Sequence, residues 1–177
     1  ILLIDEHTKR LLPHPASYKE MTMENIGKLG LCVGKGITGW VAEKTEPLLV
    51  NDVRKDSRYI CGDESILSEM CAPLKVGQKV IGVIDAQSRI LNAFTESDLR
   101  LLSIIGGQLA TLIENMSLYE EIKQSEEKYR RVVEGALDGV LVVGENYQIN
   151  FVNERLSEIV GYMREELIGS DFRNYLD

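Results

Sequence analysis

The chain has 177 residues, of which 44% are apolar, 27% charged and 6% aromatic. That is room for one ordinary domain or two small ones, and the apolar share excludes bulk disorder. Lys and Arg number 20 against 28 Asp and Glu, and a net charge of −8 is the wrong sign for a phosphate-backbone binder, so no nucleic-acid partner is expected.

The most apolar region, Leu99–Ile113, is interrupted by Arg100, Gln108 and two glycines, so no direct membrane span is expected. The chain opens on Ile1-Leu2-Leu3-Ile4 without an initiator Met or a basic segment, which does not fit a signal peptide. We read it as a piece of a longer protein. Cys32, Cys61 and Cys71 form no C-x-x-C pair, which predicts reduced, mostly buried thiols of a cytoplasmic protein. His7 and His14 have no Cys or Glu at ligand spacing, so no metal site is expected.

Residues 1–5 and 9–16 read as two strands around a polar turn at Glu6-His7-Thr8. Residues 18–30 are mixed. The short apolar run Leu29–Val33 leads into Gly34-Lys35-Gly36-Ile37-Thr38-Gly39 and a short helix over Trp40–Lys44. Pro47 stops that helix, and Leu48–Val50 reads as a strand. Asn51–Ser57 is a loop, and residues 64–68 could form a short helix. Met70–Val76 and Lys79–Ala86 flank Gly77-Gln78, the pattern of a hairpin with a type II′ turn, because Gly in the first central position tolerates positive φ. The nearly continuous apolar run Val80–Ile84 implies a strand covered on both faces.

Thr95-Glu96-Ser97-Asp98 has the form of a helix N-cap, and no proline interrupts from Leu99 to about Ala136. Leu102, Ile105, Leu109, Leu112, Met116, Tyr119 and Ile122, then Tyr129, Val133 and Ala136, recur in steps mostly of threes and fours. This is a heptad seam. The first half of the helix is apolar almost all round and should pack on the sheet, with Gly106-Gly107 allowing close approach. The second half is narrowly apolar, with Glu126–Arg130 and Glu127–Arg131 as i,i+4 pairs. A helix of this length exceeds a small domain, and we expect a homodimer along the linker helix with Leu109, Leu112, Met116, Tyr119, Ile122, Tyr129 and Val133 in its seam. Asp138-Gly139 should end it. Two strands, Val140–Val143 and Gln148–Val152, then precede a helix Glu154–Val160 with Asn153 as N-cap and Gly161 as stop.

Several ordered motifs over residues 1–119 resemble the GAF domain. They are Gly36-Ile37-Thr38-Gly39-Trp40-Val41-Ala42, Pro47–Val53, Asp56-Ser57-Arg58-Tyr59, Ala72–Val76, Val80–Ile84 and Phe94–Asp98. The resemblance lacks that fold's opening helix. Ser125–Arg130, Ala136–Val140, Phe151-Val152-Asn153 and Gly161-Tyr162 to Gly169 resemble the first half of a PAS domain. The implied class is α+β: a GAF-like antiparallel sheet flanked by helices over residues 1–115, a long coiled-coil linker helix over 98–136, and a partial PAS-like α/β unit over 125–177. The implied role is the sensory region of a signal-transduction protein such as a sensor histidine kinase, without catalysis in this stretch. Its ligand is an unknown small molecule, and the sequence assigns no cofactor.

Gly34-x-Gly36-x-x-Gly39 fits the dinucleotide fingerprint, but that mechanism needs a long helix after the glycines, and Pro47 arrives too soon. Asn51-Asp52 and Asp56-Ser57-Arg58 read as self-capped turns, with Arg58 paired to an aspartate. The Asn-Lys-Phe-Asp-Glu signature of cyclic-nucleotide-binding members does not occur. The resemblance places Tyr59, Ile60, Cys61, Ile66 and Cys71 at the ligand pocket. Free methionine sulfoxide reductases, one branch of this family, carry a nucleophilic Cys close to Cys61, with a partner Cys in the glycine turn where this chain has Thr38. Thiol-dependent reduction at Cys61 is therefore one alternative, and a ligand-free dimerisation platform is another. With no Cys-His dipeptide, a bilin or haem is not indicated.

Overall fold

The computed structural model describes residues 1–14 and 29–175. The predicted strand beyond His14 and the mixed stretch up to Lys28 lie outside the described residues. The chain divides into two compact units, Ile1–Met116 and Ser117–Asp177.

In the first unit, β1 (Leu2–Ile4), β2 (Leu11–Pro13), β3 (Leu48–Val50), β4 (Ser68–Val76) and β5 (Lys79–Ser88) form one sheet in the order β2-β1-β5-β4-β3, every neighbouring pair antiparallel. The β4–β5 hairpin is the centre of the sheet. Gly77 takes a positive φ of 58° while Gln78 does not, which is the geometry expected of a type II′ turn. Pro73 sits inside β4 at a level β3 does not reach, so its missing N–H costs no ladder bond on that side. Gly82 is required where β1 crosses β5, because a Cβ there would run into the Leu2 carbonyl oxygen.

Both faces of the sheet are covered. Helix α1 (Gly36–Lys44) starts earlier than its sequence pattern indicates, with Gly36 and Ile37 already helical. It lays Ile37, Val41 and Ala42 against Leu2, Val50, Cys71 and Val83. Gly39 lets the turn close, since a Cβ would strike the Cys32 carbonyl oxygen. Residues 64–68 form no helix: the Asp63 carboxylate accepts from Ser65 N at 2.9 Å, closing an Asx turn, and β4 begins at Ser68.

The opposite face carries helix α2 (Glu96–Glu134), 39 residues without a break. Thr95 and Asp98 cap it reciprocally, Thr95 N donating to Asp98 Oδ2 at 2.8 Å and Asp98 N donating to Thr95 Oγ1 at 3.3 Å. Its buried residues are Leu99, Leu102, Gly106 and Ala110, and Leu99 and Leu102 pack with Met70 and Ala72. Leu102, first in the predicted seam, therefore belongs to the core. Gly106 sits close against the sheet, its Cβ position 3.2 Å from Ile84 Cγ2, whereas Gly107 meets nothing within 4 Å. One 18-residue window of α2 reaches a mean hydropathy of 1.3, enough by length and composition to cross a membrane, with 17% of the window buried.

α2 ends at Glu134, ahead of the predicted Asp138-Gly139, because Gly135 takes over the last hydrogen bond to Arg131 O. Of the two predicted i,i+4 pairs, Arg130–Glu126 forms at 3.2 Å. Arg131 Nε instead donates to the Glu127 carbonyl at 3.4 Å. The second unit continues with β6 (Leu141–Val143) antiparallel to β7 (Ile149–Val152), α3 (Glu154–Val160) and α4 (Arg164–Leu167), around Ile149, Val152 and Leu167. Asn153 caps α3 and Gly161 ends it at a φ of 76°, as expected from the sequence. Asn153 is fully buried with every polar valence used. Its Oδ1 accepts from Val140 N at 2.8 Å and Leu156 N at 2.9 Å, and its Nδ2 donates to the carbonyls of Val133 and Asp138, each at 3.0 Å.

Candidate functional site

Strand alternation decides what the α1-covered face of the sheet presents. Cys71 and Val83 point into that core, so by period two Glu69 and Asp85 point the same way. Cys71 pairs with Asp85 and Glu69 with Gln87, directly across the β4–β5 ladder. Four polar or polarisable side chains thus form a square on an otherwise apolar face. Leu48 and Val50 of β3 extend the square's two rows.

The electrostatics of this square follow from burial. Glu69 is 2% exposed, and burial first, then the neighbouring Asp85 carboxylate, pushes its carboxyl up to about 8, against a hydrogen bond with Gln87 that lowers it. Burial also raises Asp85. The Cys71 thiol is held well above its ordinary range by burial and then by Asp85 and Glu69. Cys71 is therefore a protonated packing residue at neutral pH.

The segment between β3 and β4 lies over this face. Asp52 caps a single 3₁₀ turn, Val53–Lys55, and is held at about 2 by the Arg54 guanidinium. Arg58 forms a fork with Asp56 at 2.9 and 2.6 Å, the pairing expected from sequence, and stacks its guanidinium 4.7 Å from the centre of the Trp40 ring. Trp40, Tyr59 and Ile66 pack partly buried against the same core as Cys71. The Tyr59 phenol is pushed up to about 12 by burial and by the acidic groups around it.

Of the five residues placed at the pocket by sequence, Tyr59, Ile66 and Cys71 meet on this core. Ile60 turns toward the start of α1, with its Cδ1 3.1 Å from the Cβ position of Gly36. Cys61 is exposed and Cys32 half-buried, which corrects the expectation of mostly buried thiols, and all three cysteines are free. Sequence reasoning passed over Glu69, Asp85 and Gln87. The available signal was parity: each stands two residues along a strand from an inward apolar or thiol side chain.

The chain matches two known families: the GAF domain spans residues 1–114 and the PAS fold spans residues 127–177. The chain belongs to the GAF domain family and carries a PAS region after it. Both are regulatory domain types, and the role they give the chain is sensory or signalling. Among curated proteins the chain is similar to the free methionine-R-sulfoxide reductase of Escherichia coli, 30% identical over 81 residues that cover 46% of this chain and 49% of that protein. It is also similar to GAF domain-containing protein A of Dictyostelium discoideum, 37% identical over 84 residues that cover 46% and 49%. The chain spans about half or less of the length of the curated relatives it matches. Among solved structures it resembles the free methionine-R-sulfoxide reductase of Neisseria meningitidis in complex with its substrate. That match has a TM-score of 0.51 and 28% identity, and covers 64% of this chain and 62% of that one.

Proposed function

We propose that this chain is the cytoplasmic sensory region of a sensor histidine kinase of the two-component type. In this reading a small molecule is bound on the α1-covered face of the GAF sheet, and its binding is relayed through a dimeric α2 to the PAS unit. The observation that carries the relay is the double membership of α2. Its Leu99, Leu102, Gly106 and Ala110 are built into the first unit, and Val133 at its far end accepts from the buried Asn153 of the second. A ligand that binds two placements of the sheet unequally biases the helix, and the helix end is hydrogen-bonded into the PAS core. The buried carboxylates of Glu69 and Asp85 favour a ligand with a protonated amine, such as a free amino acid, because such a cation offsets the cost of ionising both.

The test is thermal shift and calorimetric titration with a panel of free amino acids and amines, including methionine sulfoxide, on the chain and on Glu69→Gln. Saturable binding to the chain, weakened at least tenfold by Glu69→Gln, is the expected result. Binding by no member of the panel overturns the amine reading and leaves the GAF unit as a ligand-free dimerisation platform.

The likeness to methionine sulfoxide reductases favours one second reading, thiol-dependent reduction at the exposed Cys61. It has less support, because Cys71 is buried and protonated and Thr38 occupies the glycine turn. Turnover of free methionine sulfoxide with a thiol reductant, lost in Cys61→Ser, is the outcome that reading requires.

A further inference from the structure

Among the described residues, α2 is packed on one side and exposed on the other. The packed side is Leu99, Leu102, Gly106 and Ala110. On the far side, about 135° round the helix at roughly 100° per residue, Leu101, Ile105 and Leu112 are exposed. Leu101, Ile105, Gln108, Leu112, Asn115 and Tyr119 succeed one another in strictly alternating steps of four and three. The same alternation continues through Ile122, Glu126, Tyr129 and Val133 without a skipped step. The seam read from sequence instead runs through Leu102, Leu109 and Met116, only about 95° from the packed side. It also contains an extra three-residue step between Tyr119 and Ile122. The packing of Leu102 under the sheet takes away that seam's first position. The two stripes share Ile105, Leu112 and Tyr119, and differ in whether Leu109 and Met116 or Gln108 and Asn115 complete them.

We propose that Gln108 and Asn115 lie on the axis of a parallel, in-register pairing of α2 with the same helix of a second copy, where each meets its own image. This rests on the dimeric reading above. Both residues are exposed in the chain, standing between exposed apolar neighbours at seam spacing. A side-chain amide has donors and an acceptor, so an Asn or Gln can pair with an identical residue across a two-fold axis, which a like-charged pair cannot do. The hydropathy gradient fixes the direction. Leu101 and Ile105 lie at one end and Glu126 and Arg130 at the other, so an antiparallel pairing sets apolar against charged side chains, while a parallel one sets like on like. A polar residue at a seam position selects register and partner number at a cost in stability. Gln108 and Asn115 are therefore the specificity residues of the interface, and the apolar positions around them supply its affinity.

The experiment is oxidative cross-linking of the chain in a Cys61→Ser background, with single substitutions Gln108→Cys, Leu109→Cys, Asn115→Cys and Met116→Cys, alongside sedimentation. Disulfides need Cα atoms within roughly 7 Å, which axis positions satisfy best. The expected result is cross-linking of Asn115→Cys and Gln108→Cys about tenfold faster than of their neighbours, with Asn115→Leu tightening the dimer about tenfold. Faster cross-linking of Leu109→Cys and Met116→Cys overturns the polar axis while leaving a dimer. A monomer at every concentration overturns the dimeric reading as well.

Discussion

Glu69 and Asp85 are diagonal neighbours across β4 and β5, both facing the α1-covered core, with Cys71 and Gln87 at the other corners of the square. Burial first, and the Asp85 carboxylate second, make ionising Glu69 costly, and its carboxyl is raised accordingly.

Stability should therefore fall as pH rises. Below the unfolded-state value near 4.5, Glu69 is protonated in both states and adds no penalty. Between there and about 8 the folded state holds the proton that the unfolded state releases, so unfolding becomes easier with each pH unit. The accumulated loss is on the order of 5 kcal/mol above pH 8. Glu69→Gln should flatten this slope and be more stable than the parent at pH 8.5. Urea midpoints from pH 5 to 9 check it, and a parallel slope in both proteins would falsify the assignment.

The adjacent glycines of α2 should respond in opposite ways. Gly107→Ala introduces a methyl into open space and should stabilise by about 1 kcal/mol through helix propensity. Gly106→Ala places a methyl 3.2 Å from Ile84 Cγ2 and 3.4 Å from the Pro73 carbonyl, so the helix must lift and the gain should vanish or reverse. Denaturation of the two variants side by side measures the difference.

Asn153 joins four backbone groups in the second unit. Asn153→Ala strands two amides and two carbonyls, an expected cost of about 3 kcal/mol. Amide exchange at Val140 and Leu156 should accelerate, while amides of β4 and β5 keep their protection. Loss of protection in β4 as well would mean that the two units unfold together.

Much of the architecture was legible from the residues alone. The Gly77-Gln78 hairpin, the Thr95–Asp98 cap, the Asn153 cap and the Gly161 stop are local chemistry, decided within a few residues. The false helix at 64–68 has the same kind of cause: Asp63 spends its carboxylate on an Asx turn, and β4 takes the chain from Ser68 onward. Of the five residues the resemblance placed at a pocket, Tyr59, Ile66 and Cys71 lie together on the α1-covered core, whereas Glu69 and Asp85 were hidden because charged residues in a strand are ordinarily assigned to the solvent side.

By itself, then, the sequence determined the order of the elements, the two families and a long unbroken helix, because caps, turns and periodicities are short-range properties of the chain. Only the tertiary structure decided facing. Period two states which strand residues share a side without saying which side is covered, and the 3.6-residue turn does not choose between neighbouring stripes of α2. Packing Leu102 and Gly106 under the sheet chose one stripe for the core and left the opposite one bare.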